Sequence, residues 1–272
     1  MSHTRDECIH RVVALNEQTS CNWTADDLLV VDETEFTVTE DEERYQREDS
    51  TANRFVLVKR PWLVNRLAAA IADLEPDRIV ELGIFKGGST ALLASLARPT
   101  KLTAIELEPE PVAALEEFVT ANRLGDVVRA HYGIDQADTA TLESLLRDDH
   151  DGEPLDLIVD DASHLYRETR TSFEFLFPRL RPGGVYIIED WNWAHRREPL
   201  WQTRGGWFHD RPALTNLILE LMMIVGTSDE LISRIVVFQD SVEITRGPLS
   251  VDQPVRLEEH YNNRGLQLRP LL

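Results

Sequence analysis

What most constrains this chain is a regular alternation, between residues 78 and 188, of short, continuously apolar runs with stretches whose apolar residues recur at helical spacing. RIVEL at 78–82, KLTAIEL at 101–107, residues 127–132, LDLIVD at 155–160 and GVYII at 184–188 read as strands. The stretches at 87–96, 111–122, 137–146 and 167–180 read as helices between them. A strand that is apolar on both faces must be covered on both, which is the pattern of a parallel sheet wrapped by helices. A further amphipathic helix starts at Pro61 and stops before Pro76. Beyond the alternation, 213–225 reads as a helix, and 232–238 and 242–245 as two strands joined by a turn at 239–241. The expected architecture is α/β: a doubly wound, mostly parallel seven-stranded sheet with an antiparallel last strand. Its ligand crevice lies at the carboxyl ends of the strands.

The first 50 or so residues do not share this rhythm. Residues 26–49 carry eleven carboxylates against two arginines, with few positions able to anchor a core. They predict an N-terminal acidic appendage over 1–53, either a solvated arm or a lid, ahead of a main domain over 54–272. The whole chain of 272 residues has 28 basic and 48 acidic side chains, a net charge of −20. Such a field repels phosphate backbones and argues against a nucleic-acid partner. Cys8 and Cys21 are too few for a disulfide framework and lack zinc-site spacing, which suits a reducing cytoplasm. No apolar run of 18 residues offers a membrane span. The remaining partner is a small molecule, and the assembly expected by default is a homo-oligomer, a dimer or higher.

The first strand runs into ELGIFKGGS, residues 81–89, where glycines let backbone approach a ligand and the next helix presents free N–H groups. Gly83, Gly87 and Gly88 do not have G-x-G-x-x-G spacing, so a nicotinamide oxidoreductase is the weaker alternative. Glu106, ending the second strand, can accept hydrogen bonds from two ribose hydroxyls. An acid before Gly-x-x-x-Gly-Gly, an acid at the second strand end and a closing antiparallel hairpin resemble the class I, Rossmann-like S-adenosylmethionine-dependent methyltransferases, over roughly 54–247. That resemblance implies that Glu81, Gly83, Gly87 and Ser89 line the methionine and ribose region and that Glu106 holds the ribose. It places Asp135, in YGID, near the adenine, and Asp160 is counted with the cofactor-binding residues.

A second constellation follows the fourth and fifth strands: DDASH at 160–164 and IIEDW at 187–191. Four carboxylates arriving at neighbouring strand ends repel one another unless a cation compensates, and magnesium prefers such oxygen donors. Asp161, Glu189 and Asp190 are the expected Mg2+ ligands. His164, poorly suited to magnesium but able to titrate near neutrality, is left as general base beside Asp161. The pair of motifs resembles the metal-dependent sugar O-methyltransferases of macrolide biosynthesis, the macrocin O-methyltransferase type, and the related cephalosporin-hydroxylase-like family. By that resemblance Asp161, His164, Glu189 and Asp190 carry metal binding and base catalysis, with Ala162 where glycine is common. Four of the six tryptophans fall at 191–207, either stacking on a planar acceptor or closing an apolar seam. The expected activity is methyl transfer from S-adenosyl-L-methionine to a hydroxyl of a sugar, polyketide or phenolic natural product. The alternative is a non-catalytic protein that binds the same cofactor in an interaction role.

Overall fold

The structure, a computed structural model, describes residues 21–203, 209–251 and 254–266. Cys8 and Trp207 lie outside the described residues. The chain divides into two compact units, one from the residues up to Arg78 with Ile84–Gly133, the other from Ile79–Gly83 with Ile134 onward.

The first unit opens with β1 (Cys21–Ala25), β2 (Leu28–Val31) and β3 (Thr34–Val38), then α1 (Glu42–Arg47) and β4 (Arg54–Leu57). They form a four-stranded sheet, antiparallel from β1 to β3 and parallel between β3 and β4. The expectation of a core-poor acidic segment is corrected here. Leu29, Val31, Phe36 and Val38 are buried, and Phe36 stacks on Phe55 with ring centroids 6.0 Å apart. Phe55 in turn meets Phe118 edge-to-face at 5.5 Å. The acids dominate composition because they face outward, where several find a cation: Asp27 and Glu48 with Arg44, Glu40 with Arg60, Asp32 with Arg98. The pairing of β3 with β4 runs across residue 53, the expected boundary.

The same unit contains α2 (Pro61–Leu74), α3 (Gly88–Ala97), β6 (Lys101–Glu106), α4 (Ala113–Ala121) and β7 (Val128–Tyr132), with β6 and β7 parallel; β5 (Arg78–Leu82) precedes α3 in the chain. Proline at the first position of α2 and Glu75 in the left-handed region at its end fix its limits. α3 packs so closely on β4 that a Cβ on Gly88 would lie 2.5 Å from the carbonyl oxygen of Val56.

The second unit contains α5 (Thr139–His150), β8 (Leu155–Asp160), α6 (Tyr166–Leu176), β9 (Leu180–Glu189), α7 (Pro199–Gln202), α8 (Thr215–Thr227), β10 (Ile232–Val237) and β11 (Ser241–Arg246). Sheet order is β10-β11-β9-β8-β5-β6-β7. β5, β8 and β9 run parallel, and β10 and β11 close the edge as an antiparallel hairpin. The fold class is as expected: α/β, seven strands, mostly parallel with an antiparallel edge.

Two boundaries differ from the periodicity. The helix expected to reach 180 ends at Leu176, because Pro178 cannot donate into a helical ladder and the chain turns once as a 3-10 helix, Phe177–Arg179. β9 begins at Leu180 rather than at 184: Leu155 pairs with Leu180 and Leu157 with Val185, so residues 181–184 bulge opposite Asp156. Gly183, at φ +82°, makes that excursion possible, and the guanidinium of Arg181 bonds Asp156 at 2.5 Å.

Candidate active site

In the first unit the loop after β5 folds around one carboxylate. Glu106, the last residue of β6, accepts N–H bonds from Ile84 (3.0 Å) and Phe85 (2.8 Å) on one oxygen and from Glu108 (3.1 Å) on the other. This clamp fixes the side chain in a part-exposed position with acceptor capacity left over. Gly87, at φ +79°, turns the chain into α3, whose N-terminus carries no side-chain cap, and Ser89 is buried in its first turn. Phe85, 58% exposed and itself at φ +49°, meets Tyr45 of α1 edge-to-face at 6.2 Å. Lys86 donates to the carbonyl of Glu48 at 2.6 Å and pairs with Asp49, so the acidic segment is anchored to the glycine loop.

In the second unit the ends of β8 and β9 bring three predicted residues together. One ligand atom each from Asp161, His164 and Asp190 lies within 4.8 Å of the others. His164 Nε2 stands 3.9 Å from Asp161 Oδ1. His164 and Asp190 have positive φ, +55° and +50°, a costly conformation for non-glycine residues that surrounding bonds must hold. For His164 those bonds are Trp193 Nε1–H to its carbonyl (2.8 Å) and Ser163 N–H to Gln136 Oε1 (2.8 Å). For Asp190 they are its own N–H to the carbonyl of Asp240 (2.7 Å) and the guanidinium of Arg196 on its carboxylate (2.5 Å). The backbone of Asp161 donates to Leu82 at 2.9 Å, and a Cβ on Gly83 would sit 2.2 Å from the Asp161 carbonyl oxygen. Glycine at 83 is thus required by the close approach of the loop at Asp161.

The other predicted residues are placed differently. Glu189 ends β9 opposite Ser241, only 3% exposed, and is not in the converging set. Asp160 is buried and bonded by Tyr186 Oη (2.7 Å), Ser172 Oγ (3.1 Å) and Gln136 Nε2 (3.1 Å). Burial pushes its carboxyl up to about 6, against the pull of those hydrogen bonds. Its oxygens are committed to the protein interior. Asp135 is exposed and accepts from the N–H of Ala137 at 2.8 Å, shaping the approach to α5. Glu81 is fully buried on β5. Of the tryptophans, Trp193 is buried on the carbonyl of His164 and Trp191 donates to the carbonyl of Phe238 at 3.0 Å, which favours the seam for these two. Gln136 and Arg196 belong to the site and were not predicted; a buried glutamine after a polar turn and one arginine in a loop with several give no periodic signal.

Two carboxylates and an imidazole converging at part-exposed positions fit a divalent cation chemically, since the carboxylates supply hard, anionic oxygens. Residues 80–191, which span both the glycine loop and this cluster, match the family model of a methyltransferase domain. Over 37 residues the chain is 57% identical to a demethylmacrocin O-methyltransferase of Streptomyces fradiae, a match covering 14% of this chain and 9% of that protein. A mycinamicin VI 2''-O-methyltransferase of Micromonospora griseorubida is 38% identical over 74 residues, 22% of this chain and 18% of its own length. The matched stretches thus span less than a fifth of either relative. Among solved structures, the MycE methyltransferase of mycinamycin biosynthesis in complex with Mg and SAH superposes with a TM-score of 0.52 at 24% identity, over 68% of this chain and 50% of that one. That likeness bears on the fold alone.

Proposed function

We propose that this chain is an O-methyltransferase that uses S-adenosyl-L-methionine and a hard divalent cation, magnesium first, to methylate a hydroxyl of a sugar or polyketide-type natural product in the cytoplasm. The observation that carries the reading is the convergence of Asp161, His164 and Asp190 within 4.8 Å on a chain whose residues 80–191 match a methyltransferase domain. The stretches of high identity to macrolide-sugar O-methyltransferases support the acceptor class. When bound, the cofactor would supply an electrophilic methyl carbon and the cation would supply Lewis acidity to the acceptor.

The chain's own residues divide the remaining work. Glu106, immobilised by three backbone N–H groups, binds ribose hydroxyls, and Gly87 lets the start of α3 approach the cofactor. Asp161 and Asp190 hold the cation, with Arg196 fixing the orientation of Asp190. His164 takes up the acceptor's proton at Nε2, and Asp161 Oδ1, 3.9 Å away, offers the opposite charge to the imidazolium that results. The strained backbone of His164, locked by Trp193, keeps the ring in place without rearrangement. Tyr45 and Glu48, which touch the glycine loop, make the acidic segment a cover for the cofactor.

The deciding experiment incubates the protein with isotopically methyl-labelled S-adenosylmethionine and a panel of glycosylated macrolides and phenols, with magnesium or with excess chelator. Label in an acceptor, lost with chelator and recovered with magnesium, is expected. Binding of S-adenosylhomocysteine without transfer to any acceptor would favour the non-catalytic reading, and undiminished transfer in chelator would remove the cation from it.

A further inference from the structure

The ends of β8 and β9 remote from Asp161 and Asp190 border a cavity of about 410 Å³, within the range of small-molecule sites. Its wall brings together Arg147, Arg179, Arg181 and Arg246, against the carboxylates Glu143 and Glu153. Four guanidinium groups around one cavity run against the net charge of −20.

Most of these cations have protein partners. Arg179 pairs with Glu143 and lies 3.6 Å over the ring of Phe175; Arg181 bonds Asp156; Arg147 lies 3.6 Å from Asp148 at the surface. Arg246 is different. It is only 4% exposed, Nη1 donates to the carbonyls of Leu231 (3.2 Å) and Gly247 (2.9 Å), and Nη2 donates to that of Leu249. Its Nε meets no acceptor, and no carboxylate among the described residues pairs with it. Carbonyl dipoles and the ring of Phe177, 5.8 Å from the guanidinium carbon, compensate part of the charge but supply no anion, and a net charge in a desolvated position is expensive unless an anion balances it. Burial correspondingly presses the guanidinium below the usual arginine range.

We propose that this cavity binds a small anionic molecule bearing a phosphate or carboxylate group, which supplies the counter-charge to Arg246 at a site separate from the methyltransferase centre. Guanidinium forks favour planar or tetrahedral oxyanions over halides, because two parallel N–H groups match two oxygens. The apolar side chains of Leu146 and Leu180 on the same wall, and a volume well above that of one phosphate, fit an organic ligand. The inference stands independently of the reaction assigned above.

The test is calorimetric titration of the full chain, in low-salt buffer, with inorganic pyrophosphate and separately with citrate. One saturable site is expected for at least one of them; preference for pyrophosphate assigns a phosphate-bearing ligand, and preference for citrate a carboxylate. Arg246→Gln and Arg147→Glu should each weaken binding by about tenfold or more, with S-adenosylhomocysteine binding unchanged. Should Arg246→Gln fail to fold, Arg147→Glu decides, since that side chain is 66% exposed and its replacement leaves the interior intact. No saturable binding of either anion, or equal affinity in a folded Arg147→Glu variant, overturns the proposal.

Discussion

At the residue scale, the site depends on a few side chains held in conformations that they would not adopt alone. His164 combines a left-handed backbone, a tryptophan on its carbonyl and a carboxylate 3.9 Å from its ring. In the proposed reaction His164 is the proton acceptor, so replacing it by alanine should remove that function and leave Glu106 and the glycine loop untouched. The turnover number should fall by about 10²–10⁴-fold, while affinity for S-adenosylhomocysteine stays within about twofold. Steady-state kinetics beside calorimetry reads both quantities, and unchanged turnover sinks the base assignment. That Asp161, His164 and Asp190 lie near the sheet's carboxyl edge was legible because residues that directly follow apolar strands emerge there. Glu189 and Asp160 were legible as acids in the same motifs but not as interior groups. Their surroundings come from Ser241, Tyr186, Ser172 and Gln136, residues far away in the chain.

At the element scale, the acidic N-terminal segment is the clearest case of composition concealing structure. Two short strands bury Leu29, Val31, Phe36 and Val38 while their alternate positions and loops carry the acids. Phe36 is fully buried and stacked on Phe55, so Phe36→Ala should cost about 3–5 kcal/mol in urea unfolding. A solvated arm would instead give a change within about 0.5 kcal/mol. The parallel strands and their intervening helices were readable because each repeats one local pattern over enough residues. The early start of β9 was not, since a proline and two glycines read locally as a turn. Pairing with β8 and the ion pair of Arg181 with Asp156 draw that turn into the ladder as a bulge.

At the scale of the whole molecule, a net charge of −20 sets a repulsive background. Screening shortens the reach of that repulsion from about 30 Å at 0.01 M salt to about 8 Å at 0.15 M. The melting temperature should therefore rise by about 2–4 °C over that interval, equivalent to about 1 kcal/mol. Differential scanning calorimetry in sodium chloride measures it, and a flat or falling trend would mean that local ion pairs already balance the field. No helix among the described residues is long and apolar enough to cross a membrane. By itself the sequence determined the α/β class, the strand order in time along the chain, the glycine loop and the acids at strand ends, because these follow from local periodicity and from which residues must end a strand. Only the tertiary structure decided which acids meet, that Gly83 makes room for the Asp161 loop, that the acidic segment has a core, and that Arg246 is buried without a carboxylate. Each of these depends on the distance between residues remote in sequence, and that distance is set by packing of the sheet and its covering helices.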